Sequence, residues 1–436
     1  MGLGSSLNAG VAGLSVNATK LATISDNIAN SETFGYKRAR AEFTSLVLEQ
    51  STGRYNAGGV RSATFRDVSA QGALIGTTNS TDISVSGSGL LPVTTIQGIN
   101  STAGDRPFLL TSTGSFAPDE NGLLRTLSGL YLMGWPANPD GTVTVPGRDS
   151  ATGLEPVDIT RNQFASAPTR RVELGVNIPA SETAPGITGQ TFDLPIEYFD
   201  NLGTSQTLTI RFTPTNTGTT ASNTWTLEVF DRASATPDTA IGNLTVLFDD
   251  SQAAGGSIAT VTSNTPGVTY DDTTGDISLE VVSGPLTLNI GAPGDGGPLT
   301  QLAATYSPTN VEKDGAPIGS FSRVEIDENG NLEAFFDNGF SRTIYQIPIG
   351  SVPNPDGLTP VDNQAFSLSQ SSGGIFFFDA GTGPVGTTVG FALTESTTEI
   401  AEELTDLIQT QRAYSSNATV VRTVDEMLQE TTNIKR

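Results

Sequence analysis

The chain has 436 residues, a formal net charge of −24, and neither cysteine nor histidine. These counts exclude disulfide frameworks, zinc-finger sites, cysteine nucleophiles, histidine-based triads and haem ligation by histidine. They also set the chain against nucleic-acid phosphates and anionic membrane surfaces, which repel so acidic a protein. Only 16% of residues are charged, while Gly numbers 48 and Pro 24, a mixture that suits many short strands and turns. No run approaches the roughly 18 apolar residues that cross a bilayer, so no membrane insertion is expected. The first basic residue is Lys20, which does not fit a usual Sec signal; export is expected by another route. Met1-Gly2-Leu3-Gly4-Ser5-Ser6 matches the myristoylation pattern, but only as a short string.

From Leu3 to Ile28 the apolar residues follow helical spacing. Leu7, Leu14, Leu21 and Ile28 stand seven apart, with Val11 and Ala18 on the neighbouring row. The spacing predicts one amphipathic helix with a looser, glycine-containing start. It runs into Asn27-Ile-Ala-Asn30 and then Phe34-Gly-Tyr-Lys37. The amides of Asn27 and Asn30 suit backbone groups at the helix end or a bridge to a neighbouring helix. Gly35 permits a tight reversal, and Phe34 and Tyr36 flank it as anchors for the linker.

Strand and turn signals follow. Thr81-Asp-Ile-Ser-Val-Ser-Gly alternates with period two, and Gly87-Ser-Gly89 breaks it as a strand-ending turn. Asp119-Glu-Asn-Gly122 and Asp327-Glu-Asn-Gly330 repeat the same four residues, each a hairpin signal. Between them lies a Thr-rich segment with alternating stretches such as Gln206–Phe212 and Thr224–Phe230, which reads as a separate β domain. Leu174 to Thr300 holds fourteen acids and two arginines, half of the whole formal charge. Phe321 to Ile349, with a further turn at Asp337-Asn-Gly339, reads as a meander.

The C-terminus repeats the helical pattern. Ile400, Leu407, Tyr414, Val421 and Leu428 stand seven apart, with Leu404, Ile408, Ala418 and Val424 beside them. Thr394 or Ser396 is the expected cap, and Glu399, Glu402 and Glu403 suit the positive end of the helix dipole. Thirty-odd residues make a helix of roughly 50 Å. Each end therefore carries a narrow heptad seam. One reading is a helical hairpin within the chain; the other is that the ends pair with each other and with further copies. Charge fits pairing: Met1 to Arg40 has four bases and two acids, Phe391 to Arg436 four bases and eight acids.

Motifs for chemistry are lacking. No Gly-Lys pair exists for a Walker loop, and no GxSxG elbow or Ser-x-x-Lys dyad appears. Asp271-Asp272 with Asp276 offers oxygen ligands for calcium, but the EF-hand spacing fails and such aspartates commonly form turns. Asn100-Ser-Thr102 matches a glycosylation acceptor, which matters only in a secretory pathway. No enzyme activity, cofactor or metal is expected.

Leu21 to Phe43 resembles the N-terminal signature of the bacterial flagellar rod and hook axial proteins, through Asn27-Ile-Ala-Asn30 and Thr33-Phe-Gly-Tyr-Lys37. Further similar blocks occur in the family's order: Asp82–Leu91, with Leu90-Leu91 where aromatics are usual; Thr113–Phe116 through Leu123; Leu130–Trp135; Gln346–Gly350 with Pro353–Leu358; and Leu404–Arg436, with Gln409–Tyr414 and Asn417. The resemblance implies a tube of many copies with helices lining a channel, and export of the unfolded chain by the flagellar apparatus. It further implies an extracellular place on the flagellum, beside rod, hook-cap and hook–filament junction proteins.

The expected fold is mainly β with long terminal coiled-coil helices and nested β domains. Residues 1–40 and 392–436 are the helical core, 41–70 a linker, 71–146 with 301–391 a discontinuous inner β domain. Residues 147–300 are an inserted outer domain, barrel-like or sandwich-like. Two β domains plus terminal helices look like the hook member of the family, a universal joint carrying torque. A distal rod or junction component is the alternative within the family. A secreted β-rich binding module or hydrolase is the alternative outside it. The helical ends are expected to order on assembly, where apolar burial offsets ordering entropy.

Overall fold

The computed structural model describes residues 3–46, 58–101, 106–139, 141–145, 147–162, 164–216, 218 and 220–434. Met1 and Gly2 of the myristoylation-like start, residues 47–57 of the expected linker, Thr102 of the glycosylation match and the last two residues of the C-terminal stretch lie outside these. The chain forms two compact units. One comprises residues 1–162, 323–335 and 341–436; the other comprises 163–322 and 336–340. The fold is mainly β with a long helix at each end. No helix among the described residues is long and apolar enough to cross a membrane.

In the first unit the N-terminal helix spans Leu3–Ala29 and the C-terminal helix Ile400–Ile434. They pack antiparallel within the single chain, although the helical ends are expected above to order only on assembly; the pairing of Asn27 and Arg38 with Glu403 already joins them. Gly10 and Gly13 lie against Val421 and Asn417, and Lys20 stands 3.6 Å from Asp406 further along. A Cβ on Gly13 would sit 2.9 Å from the Asn417 side chain. The two glycines, read above as a loose start, thus leave room for side chains of the C-terminal helix. A hairpin of Ala39–Ser45 and Val60–Arg66 lies along the N-terminal helix, with Gly59 against Ala12.

The expected helix cap is corrected. Thr394 ends a strand, Ala392–Thr394, that pairs with Leu74–Gly76. Ser396 Oγ accepts from the Thr398 amide before the helix begins. Strands from the two halves of the chain interleave: Asp82–Ser86 pairs with Thr113–Pro118 on one side and with Thr387–Gly390 on the other. This interleaving closes a β body whose excursions lead to the helices and to the second unit.

The repeated four residues fold alike. Asp119 Oδ1 accepts from the amides of Asn121 and Leu123, and Asp327 Oδ1 from those of Asn329 and Asn331. Gly122 and Gly330 both take positive φ, 79° and 83°, a conformation glycine adopts without a Cβ clash.

The second unit is sandwich-like. A five-stranded antiparallel sheet runs from Phe192–Phe199 through Ser205–Pro214, Thr224–Asp231 and Ala240–Phe248 to Ile258–Ser263. A six-stranded sheet is built around Arg171–Pro179. Both feed one core that includes Val172, Leu174, Ile210, Phe212, Trp225, Leu244, Ile277 and Leu288. Alternating residues of each strand face that core, which is why the Thr-rich stretches read as β.

Candidate functional site

The segment from Ile24 to Lys37 builds a joint between the two helices. Asn27 is its centre, 1% exposed. Its Nδ2 donates to the Ala39 carbonyl at 2.9 Å and to Glu403 Oε1 at 3.0 Å. Its Oδ1 accepts from the Ala39 amide at 2.8 Å and from the Tyr36 hydroxyl at 3.1 Å. An asparagine amide has two donor hydrogens and two lone pairs, and here all four are used. One side chain therefore ties the end of the N-terminal helix, the start of the hairpin and the first turn of the C-terminal helix.

Glu403 is 0% exposed and needs a counter-charge. Arg38 supplies it, with Nε on Glu403 Oε1, while its Nη1 reaches Glu402 at 2.9 Å and its Nη2 lies 3.8 Å from Asp406. The Arg38 amide donates to Thr397 Oγ1 at 2.8 Å. Burial pulls the Arg38 guanidinium down, but Glu402 and Glu403 outweigh it and its pKa is raised. Neither Arg38 nor Glu403 was singled out as a site residue from the sequence. The available signal was the basic N-terminal and acidic C-terminal excess.

Asn30 sits on the exposed side, its Nδ2 donating to the Asp26 carbonyl at 2.8 Å, so it serves the helix end and not the bridge. Gly35 takes φ +72°, and its amide donates to the Thr394 carbonyl at 2.8 Å. A Cβ there would meet Thr113 Cγ2 at 2.9 Å. Tyr36 is buried beneath Arg66, whose guanidinium stacks 4.6 Å from the ring centre and binds Asp26 at 2.9 Å. Burial pushes the Tyr36 hydroxyl up to about 12. Phe34, expected to be an anchor like Tyr36, stands exposed at 47% and is not a buried anchor. Lys37 turns inward and donates to the Ala70 carbonyl at 2.5 Å. Burial pulls its ammonium down to about 8, opposed by the charges of Asp67 and Asp356.

The heptad rows take different places. On the N-terminal helix Leu7, Leu14, Leu21 and Ile28 are half-buried, while Val16, Asn17, Ile24 and Asn27 are buried. On the C-terminal helix the buried row is Glu403, Thr410 and Val424, with Asn417 half-buried between them. Leu407 and Val421 are half-buried; Ile400, Tyr414 and Leu428 are exposed. Leu404 at 46% and Ile408 at 52% join Ile400 on one outward face. The helices meet through polar, small and a few apolar residues such as Val16, Ile24 and Val424, and much of the apolar row is left uncovered.

The acid cluster of the second unit is used in turns and pairs. Asp276 holds Arg171 at 2.8 and 3.0 Å and Asn289 at 2.6 Å, and Asp271 accepts from the Thr273 amide. Among the described residues no group of His, Cys, Asp or Glu is arranged to hold a metal.

The chain is 32% identical over 438 residues to the flagellar hook protein FlgE of Rhizobium meliloti (strain 1021), with both chains fully covered. It belongs to the flagellar hook protein family. The hook protein FlgE of Brucella abortus biovar 1 is 31% identical, again over the whole of both chains, and that of Escherichia coli K12 is 25% identical over 98% of each. Residues 7–37 match the flagella basal body rod protein family, 173–316 the flagellar basal body protein FlaE D2 domain, and 391–434 the flagellar basal body rod FlgEFG protein C-terminal family. The crystal structure of the Helicobacter pylori hook protein FlgE2 aligns with a TM-score of 0.46 and 14% identity over 72% of this chain and 98% of that one, too loosely to place any residue. Family membership makes the chain a structural, non-enzymatic subunit of a polymeric axial structure.

Two outcomes follow from the joint. Asn27→Asp places a second carboxylate against Glu403 and removes two donors, so it lowers stability by about 3 kcal/mol or more; Asn30→Asp costs under about 1 kcal/mol. Urea unfolding followed by helical circular dichroism checks this, and equal losses contradict it. For Lys37, the folded pKa lies below its ordinary 10.5, so between about 8 and 10 the unfolded chain binds more protons. Stability from this residue therefore rises with pH across that window. Relative to Lys37→Met, the wild type gains on the order of 1–3 kcal/mol between pH 7.5 and 10. A pH-independent difference contradicts it.

Proposed function

We propose that the chain is the repeating subunit of the flagellar hook, a flexible curved tube that acts as a universal joint carrying torque from motor to filament. The observation that carries this reading is the C-terminal helix: its inward row of Glu403, Thr410, Asn417 and Val424 is mostly polar and is tied by Asn27 and Arg38, while Ile400, Leu404, Ile408 and Tyr414 face outward. Exposed apolar residues in such a row are what a neighbouring helix covers. In this reading residues 1–40 with 392–436 form the inner wall of the tube and 41–70 link it outward. Rod, cap and junction proteins bound the tube, and the flagellar export apparatus delivers the chain outside the cell. The acidic, Thr-rich outer domain suits wet contacts that slide as a row of subunits shortens and lengthens.

Negative-stain electron microscopy of the concentrated full-length chain and of a 41–392 truncation tests this. Tubes are expected from the full chain alone, and Gly35→Val, which forces a Cβ against Thr113, is expected to abolish them while the β domains stay folded. Tubes from the truncation, or normal tubes from Gly35→Val, contradict the reading.

A further inference from the structure

Lys37 has a setting that the helix joint does not use. The residue is 6% exposed, and among the described residues its one hydrogen-bond acceptor is the Ala70 carbonyl. An ammonium has three donors, and among the described residues no carboxylate approaches Lys37 within ion-pair distance. The two acids whose charge it feels are engaged elsewhere: Asp67 with Arg40 at 2.9 Å, and Asp356 with the Ser69 amide and hydroxyl at 2.9 and 3.1 Å. Lys37 lines a cavity of about 290 Å³. Ser112, 5% exposed, lines the same cavity, and its buried hydroxyl has no hydrogen-bond partner. The remaining wall mixes the aliphatic Val68, Val85, Leu90 and Val352 with glycine, proline and polar residues.

We propose that this cavity is a binding site for a carboxylate carried on a short aliphatic group, with Lys37 and Ser112 as its donors. A buried cation with unmet donors is stabilised by an anion, and charge-assisted bonds to a carboxylate are the strong kind. One lysine and one hydroxyl match a monoanion better than a phosphate dianion. The aliphatic part of the wall matches a short hydrocarbon chain, and the volume lies just below the roughly 300 Å³ at which drug-sized sites begin. The carboxylate has two possible sources, a free small acid or an aspartate or glutamate side chain of a second copy. The site goes beyond the hook reading, because a dilute single chain already contains it.

The test uses the dilute full-length chain with sodium propionate as probe, against sodium chloride at equal ionic strength. Binding is read by saturation-transfer NMR. Protection is read by reductive methylation mapped by mass spectrometry over the four lysines, Lys20, Lys37, Lys313 and Lys435. The expected result is saturable binding with protection of Lys37 alone. Ser112→Ala removes a hydroxyl that bonds nothing in the protein, so the fold is kept while propionate binds about tenfold more weakly; Lys37→Met abolishes binding. Protection of Lys37 on assembly without propionate, in a chain that ignores propionate when dilute, assigns the carboxylate to a second copy. Lys37 left unprotected in both states, or all lysines protected alike, overturns the site, as does wild-type binding by Ser112→Ala.

Discussion

The buried carboxylate of Glu403 is the constraint on which the helical end of the molecule depends. A charge at 0% exposure is tolerated only when it is paired. Its partners come from the other end of the chain: Arg38 lies 365 positions away and Asn27 lies 376. Meeting that need fixes the rotation of the C-terminal helix about its axis and its height against the N-terminal helix. It also fixes the exit of the chain into the hairpin, because the same Asn27 holds both backbone groups of Ala39. Pairs of this kind contribute little net stability, and their best-attested use is to specify register.

The register has a consequence for assembly. With Glu403, Thr410, Asn417 and Val424 turned toward the N-terminal helix, the apolar residues three positions earlier turn partly or wholly away. A pair that buries few apolar side chains is weakly held on its own and is drawn from the low-stability end of the molecule. The second unit contrasts with it: a continuous core under two sheets needs no neighbour. Partition of the molecule into a self-sufficient β sandwich and helices with unspent apolar surface is the physical basis of the tube reading.

Much of this was legible in the sequence. Seven-residue spacing disclosed both helices, period-two alternation and Asn-Gly turns disclosed the strands, and the twin Asp-Glu-Asn-Gly turns fold alike. The rotation of the helices was not legible, because the rows beginning at Ile400 and at Glu403 share the same seven-residue spacing. Periodicity identifies a face without naming what meets it. Glu403 was read as a complement to the helix dipole, since acids in a first turn are usually solvated; only the fold brings Arg38 to it. Thr394 and Ser396 have the chemistry of a cap, yet strand pairing claims the first and a turn claims the second. Phe34 beside Tyr36 shows the same limit: both are aromatic neighbours of Gly35, and the reversal at Gly35 buries one and exposes the other.

The central claim is that the C-terminal helix pairs through the mostly polar row of Glu403, Thr410, Asn417 and Val424 and keeps the apolar row of Ile400, Leu404 and Ile408 for neighbouring copies. The native chain has no cysteine, so a single introduced thiol reports one position. Ile408→Cys and Thr410→Cys chains, each present in trace amount among excess wild type, are treated with a maleimide when dilute and after assembly. The account predicts that the thiol of Ile408→Cys reacts rapidly in the dilute chain and is protected in tubes, and that the thiol of Thr410→Cys is slow in both. A thiol of Ile408→Cys that stays equally reactive in tubes would contradict it.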